Sequence, residues 1–90
     1  MKFEWDPHKA EINFRKHGVS FDEAGSVFLD RFALSGSDPE HSVGESRHIT
    51  FGTSSLNRLL SVAHTYRPGA IRIISARRVT RGERKLYEEG

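Results

Sequence analysis

The sequence predicts an α+β protein in which helices cover one face of an antiparallel sheet and the other face stays open to solvent. Three observations support this fold class. Two helix signals lie in the first third of the chain, three alternating runs of strand-forming residues follow, and a last helix signal lies near the C-terminus. The 90 residues fit one domain spanning residues 1–90.

The N-terminal third is expected to hold a short strand and two helices. Residues 2–5 alternate polar and apolar side chains, as a half-buried strand does. Asp6-Pro7 marks a helix start with an oxygen cap and a first-turn proline, and Gly18 marks its end. Residues 20–23 form a capping box that opens a second helix, which ends near Asp30. The first helix is expected to bury Ala10, Phe14 and His17. The aromatic side chains expected in the core are Trp5, Phe14, Phe21, Phe28 and Phe51.

The rest of the chain is expected to be mostly β-structure. Phe32 and Leu34 predict a short strand, and residues 35–46, rich in serine and glycine, predict a loop. Turn-linked runs predict an antiparallel meander. These runs are residues 47–53, 59–67 and 71–78, with a type II turn at Pro68-Gly69. Residues 80–83 form another capping box, which opens a short C-terminal helix through Tyr87.

The charge is unevenly distributed along the chain. Residues 1–45 contain five Lys/Arg against nine Asp/Glu, whereas residues 46–90 contain nine Lys/Arg against three Asp/Glu. A basic half indicates either a polyanionic partner or a solvated basic surface. Arginine dominates these cations, and its planar fork suits phosphate.

Several classes of function are disfavoured by missing motifs. The chain has no cysteine, and its five histidines show no i, i+4 pair, so neither a disulfide framework nor a metal site is expected. It has no glycine-rich nucleotide-binding loop. No apolar run suits a signal peptide or a membrane span, so the expected location is cytoplasmic, without a membrane partner.

A basic sheet with scattered acid–base groups suits RNA cleavage without a metal. Such a reaction needs cations for the phosphate, a base for the 2′-hydroxyl and an acid for the leaving oxygen. Glu45 and His64 are candidates for the general base. Tyr87 is a candidate for the general acid or for stacking on a nucleobase. Each also has a purely structural interpretation: Glu45 in an ion pair, His64 in the core and Tyr87 pinning the last helix. The arginines on or beside the strands are Arg47, Arg58, Arg67, Arg72, Arg77 and Arg78.

A series of ordered segments carries a further signal along nearly the whole chain. The segments are FEWDPHKA (3–10), NFRKHGVSFDEA (13–24), VFLD (27–30), H-S-x-G-E-x-R (41–47), RLLSVAHTYR (58–67) and RIISARR (72–78). Together they resemble the BrnT family of toxins. One departure is Asn57, at a turn position where the family commonly has glycine; asparagine tolerates the left-handed backbone such a turn needs.

The resemblance implies a RelE-like fold and metal-independent ribonuclease activity on RNA, with no cofactor. It also implies a BrnA-type antitoxin protein, through which operator DNA is contacted only indirectly. The alternative function is a non-catalytic binding module, either an inactivated toxin or a corepressor subunit acting with a DNA-binding antitoxin. Combining resemblance and residue chemistry, we expect catalysis by Glu45, Arg47, Arg58, Arg77 and His64, and RNA binding by Arg67, Arg78 and Tyr87. Replacing Arg58 or Arg77 by alanine is expected to leave stability nearly unchanged.

Overall fold

The computed structural model describes residues 1–90 as three helices and a five-stranded sheet. The elements are β1 (Phe3–Glu4), α1 (Pro7–His17), α2 (Phe21–Ser26), β2 (Leu34–Ser37), β3 (His48–Thr53), β4 (Leu59–Arg67), β5 (Ala70–Arg78) and α3 (Arg81–Glu89). Short 3₁₀ turns occupy Val27–Leu29 and Pro39–His41. The strand order is β1-β5-β4-β3-β2. The α+β class is therefore confirmed. None of the helices has the length and apolar composition that crossing a membrane would require.

The expected all-antiparallel sheet is wrong in one respect, because β1 lies parallel to β5 and makes the sheet mixed. The remaining neighbours pair antiparallel. A two-residue strand carries no signal of its partner's direction. Its pairing is fixed only when α1 and α2 pack and the later strands return beside it.

Local signals set the helix ends. Asp6 accepts a hydrogen bond from the backbone N–H of His8, and Gly18 adopts a left-handed φ of 69°. Ser20 accepts from the backbone N–H of Glu23 at 3.0 Å. The capping box of α3 is complete, whereas the α2 box is only half formed because the Glu23 carboxylate is used elsewhere. The second helix also ends earlier than expected, at Ser26.

The buried residue of α1 is Asn13, and the expectation that Phe14 lies in the core is wrong. Phe14 is 56% exposed. The Asn13 side chain donates to the carbonyls of Val19 and Ala76 at 3.0 and 2.9 Å and accepts from the Ala76 N–H at 3.0 Å. These bonds tie α1 to β5. Neighbouring helical positions differ by about 100°, so burying Asn13 turns Phe14 toward solvent.

The strand expected around Phe32 instead begins at Leu34 and runs to Ser37, inside the predicted loop. Phe32 is 69% exposed. The register places Leu34 opposite Phe51 and Ser37 opposite His48. The partner strand β3 thus determines where β2 lies, since serine and glycine have no strand preference of their own.

The helices and the sheet enclose one core. Its fully buried members come from the α2 region and from the core-facing positions of β4 and β5: Val19, Phe21, Ala24, Val27, Leu60, Val62, Ile73 and Ala76. Trp5 and Phe28 pack against this cluster from its rim. Two turn residues have the left-handed backbone that their positions require, with φ of 72° at Gly69 and 59° at Asn57. The turn containing Asn57 therefore tolerates the loss of glycine.

Candidate functional site

The sheet face opposite the core, here called the open face, carries the candidate site. Strand alternation puts Ser61, Thr65 and Arg67 of β4 on this face, together with their cross-strand neighbours. The face has a depression toward each end of β4. The Glu45 cleft, about 400 Å³, is lined by His41, Glu45, Arg47, Thr65, Arg67 and Arg72. The Phe51 cleft, about 480 Å³, is lined by Leu34, Ile49, Phe51, Ser61, Arg77 and Glu83.

An exposed ion pair stands at the mouth of the Glu45 cleft. Glu45 lies in the loop before β3, and Arg67 is the last residue of β4. Arg67 Nη1 donates to Glu45 Oε2 at 2.7 Å. Both side chains are partly open to solvent, so the pair contributes little to stability and separates readily. A carboxylate and a guanidinium are therefore available together to a ligand.

A second carboxylate, that of Asp38, lines the Phe51 cleft and contacts two side chains of the Glu45 cleft. Asp38 accepts from His41 Nδ1 at 2.9 Å, and Arg47 Nε lies 3.7 Å from Asp38 Oδ2. At 3.7 Å, Arg47 and Asp38 form an ion pair but are too far apart for a hydrogen bond. Asp38 thus holds the His41 imidazole and the Arg47 guanidinium, which line the same cleft as Glu45. The Glu45 cleft therefore combines acid–base groups with cations.

Two buried polar atoms lining the Glu45 cleft have no hydrogen-bond partner. They are Arg47 Nε and the hydroxyl oxygen of Thr65. Leaving such groups buried without a partner costs about 1–3 kcal/mol each. Arg72 adds a further cation, with Nη1 3.6 Å from Glu4 Oε2. Guanidinium groups such as those of Arg47, Arg67 and Arg72 donate to negatively charged oxygen acceptors, so this lining suits a ligand such as phosphate.

Arg77 is held at the other end of the open face by Glu83 of α3. Its Nη1 and Nη2 donate to the two carboxylate oxygens at 2.7 and 2.9 Å. Arg77 and the capping bond from Thr80 together lower the pKa of Glu83 to about 2. The pKa of Arg77 is raised by the same pair. The guanidinium is thus charged and held in one orientation.

Arg58 does not lie on the open face. Its Nε donates to Glu23 Oε2 at 2.9 Å, its Nη2 also contacts that carboxylate, and Nη2 donates to the Gly18 carbonyl at 3.0 Å. Glu23 is 5% exposed and also accepts from Ser54 at 2.6 Å. The hydrogen bond from Arg58 holds the pKa of Glu23 below its usual value. The structure therefore gives Arg58 a position between α2 and the start of β4.

His64 lies in the protein interior, and this placement corrects the expectation that it meets substrate. Its exposure is 0%, and its Nε2 lies 2.8 Å from the hydroxyl of Thr50. Its ring packs edge-on against Phe28. Burial, with a smaller contribution from the charge of His48, lowers the pKa of His64 to about 4. His64 continues the alternation of the buried residues Leu60 and Val62 along β4, so its ring points into the core.

The other two expected RNA contacts lie outside the clefts. Arg78 is exposed, and its cross-strand partner Leu60 belongs to the core-facing set, so Arg78 points away from the open face. The hydroxyl of Tyr87 donates to Asp30 at 2.6 Å. This bond raises the pKa of Tyr87 and links α3 to the end of the α2 region.

Sequence reasoning gave no role in the site to four groups that line or organise the clefts: Asp38, His41, Thr65 and Glu83. Two of them had a usable signal. His41 lies in the same H-S-x-G-E-x-R stretch as Glu45, and Thr65 is two residues before Arg67, hence on the same strand face. The chain contains no group of three or more His, Asp or Glu side chains placed to hold a metal ion.

A sheet that collects arginines and a carboxylate on one open face has the charge that suits a polyanionic ligand. A family model described as "Ribonuclease toxin, BrnT, of type II toxin-antitoxin system" matches residues 5–83. The chain is therefore a member of the ribonuclease toxins of type II toxin–antitoxin systems. Within that class, it belongs to the BrnT family.

A solved structure supports the fold. The 1.1 Å crystal structure of the Brucella abortus ribonuclease toxin BrnT superposes with a TM-score of 0.67 and 24% sequence identity. The match covers 90% of this chain and 99% of that one. It therefore shows that the two chains share a fold. A search of the curated proteins found no match.

Proposed function

We propose that this BrnT-family chain cleaves RNA in the Glu45 cleft, without a metal ion, by attack of a 2′-hydroxyl on the adjacent phosphate. One observation carries the proposal: Glu45 stands 2.7 Å from Arg67, in a cleft that is also lined by His41, Arg47 and Arg72. A phosphate placed there receives several hydrogen bonds and charge compensation at once.

Glu45 acts as the general base. It takes the proton of the 2′-hydroxyl as the O2′–P bond forms, and the P–O5′ bond then breaks to leave a 2′,3′-cyclic phosphate. Arg47, Arg67 and Arg72 hold the phosphate and stabilise the charge that develops on its oxygens. To bind phosphate, Arg67 must leave its ion pair with Glu45. That pair is exposed and contributes little free energy, so little is lost when it breaks.

His41 protonates the departing O5′ oxygen. Its ring lines the cleft and is oriented by Asp38 at 2.9 Å, and imidazole is the side chain most often used for such a transfer. His64 and Arg58 support this site from beneath the sheet and from its edge, without contacting RNA. Arg77 binds the RNA away from the bond that is cut, whereas Arg78 and Tyr87 have no contact with it.

The proposed activity is silenced by a cognate antitoxin protein. The cations of the open face attract an acidic partner, and covering that face blocks the Glu45 cleft. We assign this role to a BrnA-type antitoxin, which contacts operator DNA itself, and we assign the fold to the RelE-like group. Charge reversal at Arg67 should weaken antitoxin binding and RNA cleavage together.

The test is cleavage of a labelled single-stranded RNA by the purified chain in EDTA. Glu45→Gln is expected to lower kcat by about 10²–10⁴-fold, and Arg67→Ala to raise KM and lower kcat. Glu40→Gln and Arg15→Ala are matched controls, because both side chains are exposed and lie outside the Glu45 cleft.

Two results would overturn the proposal. One is activity that disappears in EDTA and returns with a divalent cation. The other is RNA that binds the wild-type chain but is never cut, without growth arrest in cells lacking the antitoxin. That second result is the one the binding-module alternative predicts.

A further inference from the structure

The Phe51 cleft has the size, the walls and the position of a site for one base of the bound RNA. Thr65 in the Glu45 cleft and Ser61 in the Phe51 cleft are four residues apart on β4, or about 13 Å at the rise of a strand. Both clefts open on the same face. An extended RNA strand whose phosphate lies in the Glu45 cleft therefore passes over the Phe51 cleft.

The walls of this cleft suit the flat faces of a base. Phe51 was expected in the core but instead lies half-buried on the open face, where it lines the cleft with Ile49 and Leu34. Its ring stacks on no other aromatic side chain of the protein. A base inserted against that ring gains stacking, which proteins that bind single-stranded RNA use widely.

The polar end of the cleft presents donors in a fixed orientation. Arg77 uses Nη1 for Glu83 and the Arg78 carbonyl, and one N–H of Nη2 for Glu83. Its Nε–H and the second N–H of Nη2 remain, and these two point in parallel from one edge of the guanidinium. Ser61, 4% exposed and lining the same cleft, adds a hydroxyl.

We propose that the Phe51 cleft binds a guanine base of the RNA substrate, with Arg77 donating to O6 and N7 and Phe51 stacking on the ring. Guanine offers the two adjacent acceptors that an arginine fork matches. Glu83 is a positioning residue in this site, because it holds the fork in place without contacting the base. This subsite rests on the proposed cleavage of RNA and gives that cleavage its sequence preference.

The first test varies the RNA and keeps the protein wild type. Short single-stranded RNAs carry one guanine at successive distances from the cut, and each is compared with its 7-deazaguanine counterpart, which lacks the N7 acceptor. We expect kcat/KM to fall about tenfold at one position only, and an abasic nucleotide at that position to be worse still. Equal cleavage at every position would overturn the subsite.

The second test varies the protein. Phe51→Leu and Arg77→Lys are expected to flatten the guanine preference, measured as the ratio of kcat/KM for the guanine and 7-deazaguanine RNAs. Phe14→Leu is the matched control, because this exposed ring lies on α1. Thermal unfolding establishes that each variant is folded. If Arg77→Lys instead weakens cleavage of all sequences equally, Arg77 contacts phosphate and the base site is refuted.

These outcomes are separable from the failure of the proposed function. If wild-type protein cuts RNA but shows no position-dependent response to guanine, only the subsite fails. If wild-type protein cuts no RNA, the cleavage proposal itself fails. In that case, fluorescence quenching of 2-aminopurine RNA by wild-type protein, but not by Phe51→Leu, would still support base binding, and its absence would refute it.

Discussion

Replacing Arg58 by alanine would isolate a buried carboxylate. Glu23 is 5% exposed, and Arg58 supplies two of its hydrogen bonds, leaving only Ser54 after the substitution. Arg58 also satisfies the carbonyl of Gly18 at the end of α1. The substitution therefore loosens α2 and the α1–α2 connection from β4 at the same time.

The magnitude follows from the burial of the pair. Breaking a buried ion pair by removing one partner costs about 3–5 kcal/mol. The Arg58 side chain is 25% exposed, so water reaches the vacated space and the low end applies. We expect a loss of about 3 kcal/mol in the free energy of unfolding, which for a chain of this size lowers Tm by roughly 12–20 °C.

Urea unfolding followed by circular dichroism measures the effect. Glu23→Gln combined with Arg58→Ala should cost clearly less than the two single substitutions added together, because both remove the same interaction. Arg15→Ala is the control, since its pair with Glu11 is exposed on α1 and should change stability by less than about 0.5 kcal/mol. A loss below about 1 kcal/mol for Arg58→Ala, with cleavage abolished, would refute this reasoning and place Arg58 in the reaction.

Three further predictions concern acid stability, the core and the RNA site. The pKa of His64 is lowered from 6.5 to about 4, so between these values the unfolded chain binds a proton that the folded chain does not. Stability should fall by roughly 2–3 kcal/mol as pH drops through this window, and urea unfolding of His64→Gln should show a flatter pH profile. Asn13→Ala should cost about 2–4 kcal/mol because it strands buried backbone groups, while Phe14→Ala should cost under about 1; equal losses would contradict the placement of these side chains. RNA affinity should fall steeply with salt, and Arg67→Ala should reduce the slope of log K against log salt by about 1; an unchanged slope would remove Arg67 from the phosphate contacts.

The candidate site was only partly predictable, and the reason is visible in its arginines. Sequence chemistry identified Glu45 as an acid–base group and the arginines as a set, but gave no means of sorting them. Arg58, Arg67 and Arg77 look alike in the sequence, yet one faces Glu23, one Glu45 and one Glu83. Their partners lie 35, 22 and 6 residues away in the chain. Which cation meets which carboxylate depends on how the strands are ordered.

The sequence by itself determined the features that are satisfied within a few residues. Asp6, Ser20 and Thr80 cap helices through hydrogen bonds to N–H groups two or three residues away. Gly18 and Gly69 take left-handed conformations that neighbouring turns demand. These helix caps and turn conformations depend only on neighbouring residues, so propensity and short-range sterics determine them before any tertiary contact forms.

The tertiary structure alone decided which residues share a face. The parallel pairing of β1, the burial of Asn13 in place of Phe14 and the bulge of β5 opposite Ala63 and His64 all arise from contacts between segments distant in sequence. So do the two clefts of the open face, whose walls come from residues between 9 and 83. Successive side chains of a strand lie on opposite faces, and only the packing of the helices on one face of the sheet leaves the other open to solvent.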